Sequence, residues 1–174
     1  KATASELAVK IGSVSINFNR KQFLNDDIAA AVIDAQKKLF PVHVIVEVTE
    51  EPGEDTFTLA AMQHQIDKYK ANGLQFSIDD VGTGINVYDH IKPLLESAEE
   101  IKFAMQNFRA EDRENEIPIQ LKFWRDIAVQ HDIRLILEGV ENDAEDQMAN
   151  DLNISLRQGY YYGKPHLFKL KADH

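Results

Sequence analysis

The hydrophobic residues of this chain switch period repeatedly, between every second position and every third or fourth. That rhythm constrains the fold more than any single motif. Val14-Ser15-Ile16-Asn17-Phe18 alternates as a strand does, and Leu24, Ile28, Ala31, Ala35 and Leu39 then fall on one helical stripe that Pro41 closes. Val42 to Val48 is a nearly continuous β-branched run, the pattern of a strand buried on both faces. Leu59, Met62, Ile66 and Tyr69 step by three and four until Asn72-Gly73, and Leu74 to Ile78 is the next strand. Val87, Ile91 and Leu94 form a stripe, Ile101 to Met105 a strand, and Ile117, Leu121, Trp124 and Ile127 a helix entered at Pro118. Ile133 to Leu137, a helix through Ala144, Met148 and Leu152, and a last strand over Ser155 to Tyr162 complete the series. Six strands separated by five helices mean βαβ units and a parallel sheet.

At 174 residues this is one domain, 1–174, with no linker or second compositional zone. Cysteine is absent, which removes disulfides, thiol catalysis and thiolate-bound zinc. Acids outnumber Lys plus Arg by 29 to 19, a net charge of −10, so DNA and RNA are not expected partners. No apolar run approaches the ~20 residues of a membrane span, and Lys1-Ala2-Thr3-Ala4 has no signal-peptide core. The expected location is cytoplasmic, without membrane contact. The first residue is not Met, so the chain reads as part of a longer protein. A short helix pattern runs over Leu7 to Ile11.

The strands carry polar residues that packing does not explain. Asn17 lies in the first, Glu47 in the second, Asp79-Asp80 end the third, Lys102 lies in the fourth, Glu138 ends the fifth, and Gln158 lies in the sixth. A buried carboxylate without a partner costs several kcal/mol, so these acids must be paired, exposed at a rim, or bound to a cation. In a (β/α) barrel the C-terminal strand ends converge on the face that carries the active site. Acids that merely cap the following helices are the competing explanation, which suits Asp79-Asp80 best and Glu47 worst. Asn plus carboxylates is a hard oxygen set, suited to Mg²⁺ or Mn²⁺. Adjacent aspartates suit two cations about 3.5–4 Å apart, and Lys102 then positions water or phosphate. The six histidines show no ligand spacing. Trp124 reads as core, and Tyr160-Tyr161-Tyr162 as strand residues split between two faces.

These residues sit in longer matching segments: Ser15-Ile16-Asn17-Phe18-Asn19-Arg20-Lys21-Gln22, Glu47-Val48-Thr49-Glu50, Asp79-Asp80-Val81-Gly82-Thr83-Gly84, Ile101-Lys102, Glu138-Gly139-Val140-Glu141, and Gln158-Gly159-Tyr160-Tyr161-Tyr162-Gly163-Lys164-Pro165. In this order, the sequence resembles the EAL-domain family of cyclic di-GMP phosphodiesterases. The resemblance implies a (β/α)₈ TIM-type barrel, incomplete here, with about six βα units and the N-terminal strands missing. It also implies metal-dependent hydrolysis of cyclic di-GMP to the linear dinucleotide in bacterial signalling, with two divalent cations in the complete domain. Asn17, Glu47 and Asp79 look like ligands of the first metal, and Asp79 and Asp80 like ligands of the second. Lys102 looks like the water-positioning lysine, and Glu138 like the general base or a ligand through water. Glu50 would support the loop after Asp80, and Glu141 and Gln158 would line the site. The Gly82-Thr83-Gly84 turn resembles a loop that couples substrate and metal binding to dimer contacts.

Two departures qualify the expectation. The Glu-Ala-Leu motif is absent, and its expected place is a strand upstream of Lys1, so this fragment alone is expected to be inactive. The family pattern Lys-x-Asp reads Lys102-Phe103-Ala104, and alternation puts Ala104 on the Lys102 face, where an acid has been lost. The second reading is therefore a degenerate domain that binds cyclic di-GMP or a protein without cleaving anything. Six strands cannot close an eight-stranded barrel. The open side is expected to be covered by a second copy in a homodimer, by the N-terminal helix, or by segments outside this chain.

Overall fold

The structure, a computed structural model, describes residues 12–49, 58–84 and 86–165. Six strands form one parallel sheet in the order β1 to β6: Ser13–Asn19, His43–Thr49, Gln75–Ile78, Glu100–Ala104, Arg134–Glu138 and Leu156–Gln158. The sheet curls into a half-barrel in which β1 and β6 are the two ends, as the strand count requires. The stretch from Leu7 to Ile11, expected to be helical, and with it the N-terminal cover for the open side, lies outside the described residues.

Seven α-helices connect these strands among the described residues: α1 Arg20–Phe23, α2 Asp26–Leu39, α3 Leu59–Ala71, α4 Tyr88–Ile91, α5 Met105–Ala110, α6 Ile117–His131 and α7 Asp143–Asp151. Their ends follow from side chains that satisfy the free amides of a first turn. The Asn25 side chain accepts from the Asp27 and Ile28 amides at 3.0 Å each, ahead of α2. Acidic Asp26 and Asp27 in its first turn, with Lys37 and Lys38 in its last, oppose the helix dipole. Thr58 and Asn142 cap α3 and α7 in the same way. Asp132 takes a left-handed φ of 55° and stops α6.

Strand alternation then separates two chemistries. One face carries Val44, Val46 and Val48, Phe76 and Ile78, Ile101 and Phe103, and Leu135 and Leu137, all buried in one cluster with Ile66, Tyr69, Leu121 and Trp124 of the helices. Phe103 stacks on Phe108 with ring centroids 4.9 Å apart. Truncating Phe103 to alanine removes about 3–5 kcal/mol of stability. The opposite, inner face carries Asn17, Glu47, Ser77, Glu100, Lys102, Ala104, Glu138 and Gln158, which the register sets side by side. Its lower layer is held by Arg134, 3.1 Å from Glu100 and donating to Gln75 at 3.1 Å.

Three local expectations are corrected. The fourth strand ends at Ala104 and Met105 already opens α5, because Met, Gln, Phe, Arg and Ala are compatible with helix and nothing in the apolar run marks a break. The helix expected through Val87, Ile91 and Leu94 is one α-turn followed by a 3₁₀ segment, Lys92–Ser97, with a proline in its first turn. The sixth strand stops at Gln158, and Tyr160, Tyr161 and Tyr162 lie exposed in a turn. There the Tyr161 and Tyr162 hydroxyls donate to Asp143 and Asp146 of α7, which keeps the tyrosines off the ladder.

Candidate functional site

The inner face becomes a site at the upper ends of its central strands. Register places Asn17 beside Glu47, Glu47 beside Ser77, Ala104 beside Glu138 and Glu138 beside Gln158. Lys102 rises between the acids, its Nζ 2.8 Å from Glu47 Oε2 and 3.2 Å from Glu138 Oε1. Gln158 Nε2 donates to the same Glu138 oxygen at 2.7 Å. Four sequence-marked residues on four strands thus form one hydrogen-bonded row. Glu47 is only 1% exposed, and its other oxygen, Oε1, is buried with no hydrogen-bond partner among the described residues.

The electrostatics of the row favour charge on the lysine. Burial alone would push the Lys102 ammonium toward its neutral form. The hydrogen bond that Lys102 donates to Glu47 and the charges of Asp79, Glu138 and Glu47 outweigh it and hold the group protonated more firmly than a free lysine.

Asp79 and Asp80 stand on the turn after β3. The Asp80 amide donates to Asp79 Oδ1 at 3.0 Å, the Asn86 side chain donates to the Asp79 carbonyl at 2.8 Å, and the Val81 amide donates to the Lys102 carbonyl at 3.0 Å. Asp80 adopts a φ of 52°, a conformation that Asp tolerates better than most residues. Gly82, at φ 92°, rests on the Trp124 indole so closely that an added Cβ would lie 2.8 Å from Nε1. Glycine is therefore required there. Burial raises the Asp79 carboxyl to about 7; Lys102 opposes the rise, while Asp80, Glu138 and Glu47 add to it. Asp80 is raised as well, chiefly by burial, against a hydrogen bond from Asn107 and the charge of Lys102.

One cavity opens beside the row and another beside Asp80. The first, about 560 Å³, is lined by Glu138, Glu141, Gln158, Gln106 and Tyr160, among others. The second, about 290 Å³, is lined by Asp80, Thr83, Gly84, Thr49, Asn107 and Glu111. Asn17 is exposed beside Glu47, Glu141 is exposed with Arg109 3.4 Å away, and Glu50 lies outside the described residues. Ala104 is buried directly opposite Glu138.

Among the described residues no three acidic or histidine side chains are gathered closely enough to hold an ion. The donor chemistry nevertheless suits a hard divalent cation: Glu47 keeps a buried oxygen without a partner among the described residues, and the Asp79 and Asp80 carboxyls follow on the turn after β3. The sequence reading missed Asn86, Gln106, Asn107 and Arg109. They lie on turns and on α5, where no strand alternation makes a polar residue conspicuous.

The family model of the EAL domain matches residues 2–165. The chain is 27% identical over 158 residues to the bifunctional diguanylate cyclase/cyclic di-GMP phosphodiesterase MucR of Pseudomonas aeruginosa, a match covering 88% of this chain and 22% of that protein. It superposes on a standalone EAL protein from Vibrio cholerae O395, solved in its c-di-GMP-bound form, with a TM-score of 0.68 and 27% identity over 94% of this chain and 70% of that one. It superposes also on Klebsiella pneumoniae BlrP1, solved as a manganese and cyclic di-GMP complex, with a TM-score of 0.69 and 20% identity over 91% of this chain and 40% of that one. The chain spans about a fifth of the length of the curated relatives it matches.

Proposed function

Because this chain belongs to the EAL domain family, we propose that it is the catalytic part of a cytoplasmic phosphodiesterase that opens cyclic di-GMP to the linear dinucleotide. The observation that carries this reading is the row on the inner face, where Lys102 stands between Glu47 and Glu138 and Gln158 orients Glu138.

In this reading Glu138 takes a proton from the attacking water. The water oxygen bonds to phosphorus, one phosphodiester bond breaks, and the departing ester oxygen gains a proton. Lys102, held charged, positions the water or a phosphate oxygen. Gln158 fixes which oxygen of Glu138 faces Lys102. Asn17, Glu47, Asp79 and Asp80 would hold Mg²⁺ or Mn²⁺, and two such cations, when bound, would activate the water and stabilise the displaced oxygen. Glu141 lines the larger cavity with Gln158, the Gly82-Thr83-Gly84 turn keeps Asp80 in place, and Glu50 would support that loop. The exposed end strands of the half-barrel would be covered by a second copy or by segments outside the described residues.

A second reading, a receptor that binds the dinucleotide without cleaving it, is favoured by Ala104. This small apolar residue faces Glu138 where the family pattern carries an acid. Turnover of cyclic di-GMP in Mg²⁺ or Mn²⁺ by the protein that carries this chain tests both. Metal-dependent turnover that disappears in Glu47→Ala and Asp79→Ala supports the enzyme, and the 174 residues alone should bind cations weakly and turn over very slowly or not at all. Binding without cleavage, even after Ala104→Asp, establishes the receptor.

A further inference from the structure

We infer that Arg109 is a positioning residue for Glu138 and Glu141, holding the loop between β5 and α7 where Glu138 meets Lys102. The inference rests on the hydrolytic reading given above. Strands β4 and β5 pair as far as Ala104 and Glu138 and no further. Beyond that point β4 turns directly into α5, and β5 continues into Gly139-Val140-Glu141, so the sheet itself no longer ties the two chains together.

Arg109, on α5, replaces the missing ladder. Both of its terminal nitrogens donate to the Gly139 carbonyl at 3.1 Å. One also donates to Glu145 Oε1 at 2.5 Å, and the other lies 3.4 Å from Glu141 Oε1. The second oxygen of Glu145 accepts from the Glu141 backbone amide at 2.7 Å. The guanidinium therefore grips the loop at the residue after Glu138, and through Glu145 it also fixes the amide of Glu141. From the other side Val140 donates to the Gln158 carbonyl at 3.2 Å and accepts from the Tyr161 amide at 3.0 Å. Gly139 holds a φ of 77°, which glycine adopts without strain, so the turn away from the ladder is made at the residue whose carbonyl Arg109 grips.

The side chain is only 20% exposed, and its partners lie on other elements. Arg113, close by, pairs with Glu111 and Glu116 of its own segment. A planar fork with five donors meets a carbonyl and two carboxylates at once, which a lysine ammonium with three donors on one nitrogen reproduces only in part.

The test compares Arg109→Met and Arg109→Lys with the unmodified protein that carries this chain, using cyclic di-GMP with Mn²⁺. Arg109→Met should lower kcat about ten- to a hundredfold and leave KM within about twofold, since a displaced catalytic carboxylate costs chemistry more than binding. Arg109→Lys should recover part of that loss. Equal kcat in Arg109→Met and the unmodified protein overturns the inference, as does a loss that falls on KM alone. Backbone hydrogen exchange separates this result from a failure of the hydrolytic reading. If the unmodified protein never turns the dinucleotide over, that reading falls. The Val140 and Glu141 amides then decide: exchange about tenfold faster in Arg109→Met than in the unmodified protein, with the other strands unchanged, supports the positioning role, and unchanged exchange rejects it.

Discussion

Two neighbouring parts of the site handle negative charge in opposite ways. In the Glu47–Lys102–Glu138–Gln158 row a largely buried base stands between two buried acids, and one oxygen of each carboxylate has a donor. On the Asp79–Asp80 turn two carboxyls stand side by side, hydrogen-bonded mainly through backbone and amide groups, and burial raises both toward neutrality. The row is partly balanced by a protein cation, Lys102, set between Glu47 and Glu138. The turn is not, and a cation or a proton must supply what the protein omits. A site of this kind is half built and half waiting, and the two halves should respond differently to mutation, pH and metal.

The largest effect should come from unbalancing the row. Lys102→Met leaves Glu47 buried without the one base that pairs with it among the described residues and should lower stability by about 3–5 kcal/mol, read from the urea midpoint. A loss below about 1 kcal/mol would show that the row does not depend on its base and would break the contrast with the turn.

The next effect is a pH dependence that belongs to the turn. Asp79 titrates near 7 in the folded chain against 3.8 ordinarily, so between those values the folded state holds the extra proton. Its contribution to stability is therefore complete below about pH 4, is lost progressively as pH rises toward 7, and is flat above that. At most about 4 kcal/mol is at stake. Asp79→Asn should flatten this part of a stability–pH curve measured in EDTA, while Lys102→Met should not. A curve of equal slope in the wild type and Asp79→Asn would remove the distinction.

Ala104→Asp sharpens the comparison by moving the character of the turn into the row. A new carboxylate opposite Glu138 should cost about 1–3 kcal/mol in EDTA and recover in millimolar Mn²⁺, as thermal melts with and without metal will show. The smallest change is Gln158→Ala, which removes one donor from Glu138 where other contacts persist. It should cost about 1 kcal/mol, with little dependence on pH.

The parallel half-barrel was legible because alternating periods leave few other ways to bury each apolar stripe. Glu47, Lys102 and Glu138 were legible for the converse reason: each interrupts or ends an apolar strand where packing offers no explanation. Asp79 and Asp80 were found as a pair, but not the upward shift that burial, with the neighbouring acids, imposes on the Asp79 carboxyl, which depends on how the other strands pack around it. The end of the fourth strand was misplaced because Ala104-Met105 suits strand and helix equally. The tyrosine run was misread as strand because its partners, Asp143 and Asp146, lie on a helix that local sequence cannot bring near. Arg109 escaped notice because Phe108-Arg109-Ala110-Glu111-Asp112-Arg113 reads as an ordinary charged surface, and only the path of the β5 loop gives one of its arginines a distant task.

The strand order has a consequence for how the molecule comes into being. Among the described residues every strand pairs only with its predecessor and successor in the sequence, so Asn17 waits for Glu47 and Glu47 for Ser77, and no described ladder joins the first strand to the last. Contact order stays modest for a protein built on parallel strands, which otherwise fold slowly. Each βα unit can dock on the one already formed, and assembly can follow synthesis from β1 onward as a growing stack does. The catalytic row is then assembled late. Glu47 is buried early, while Lys102 and Glu138 arrive two and three strands later, so a nascent chain stalled before β4 should carry a compact but charge-frustrated half-sheet that chaperones and proteases can still recognise.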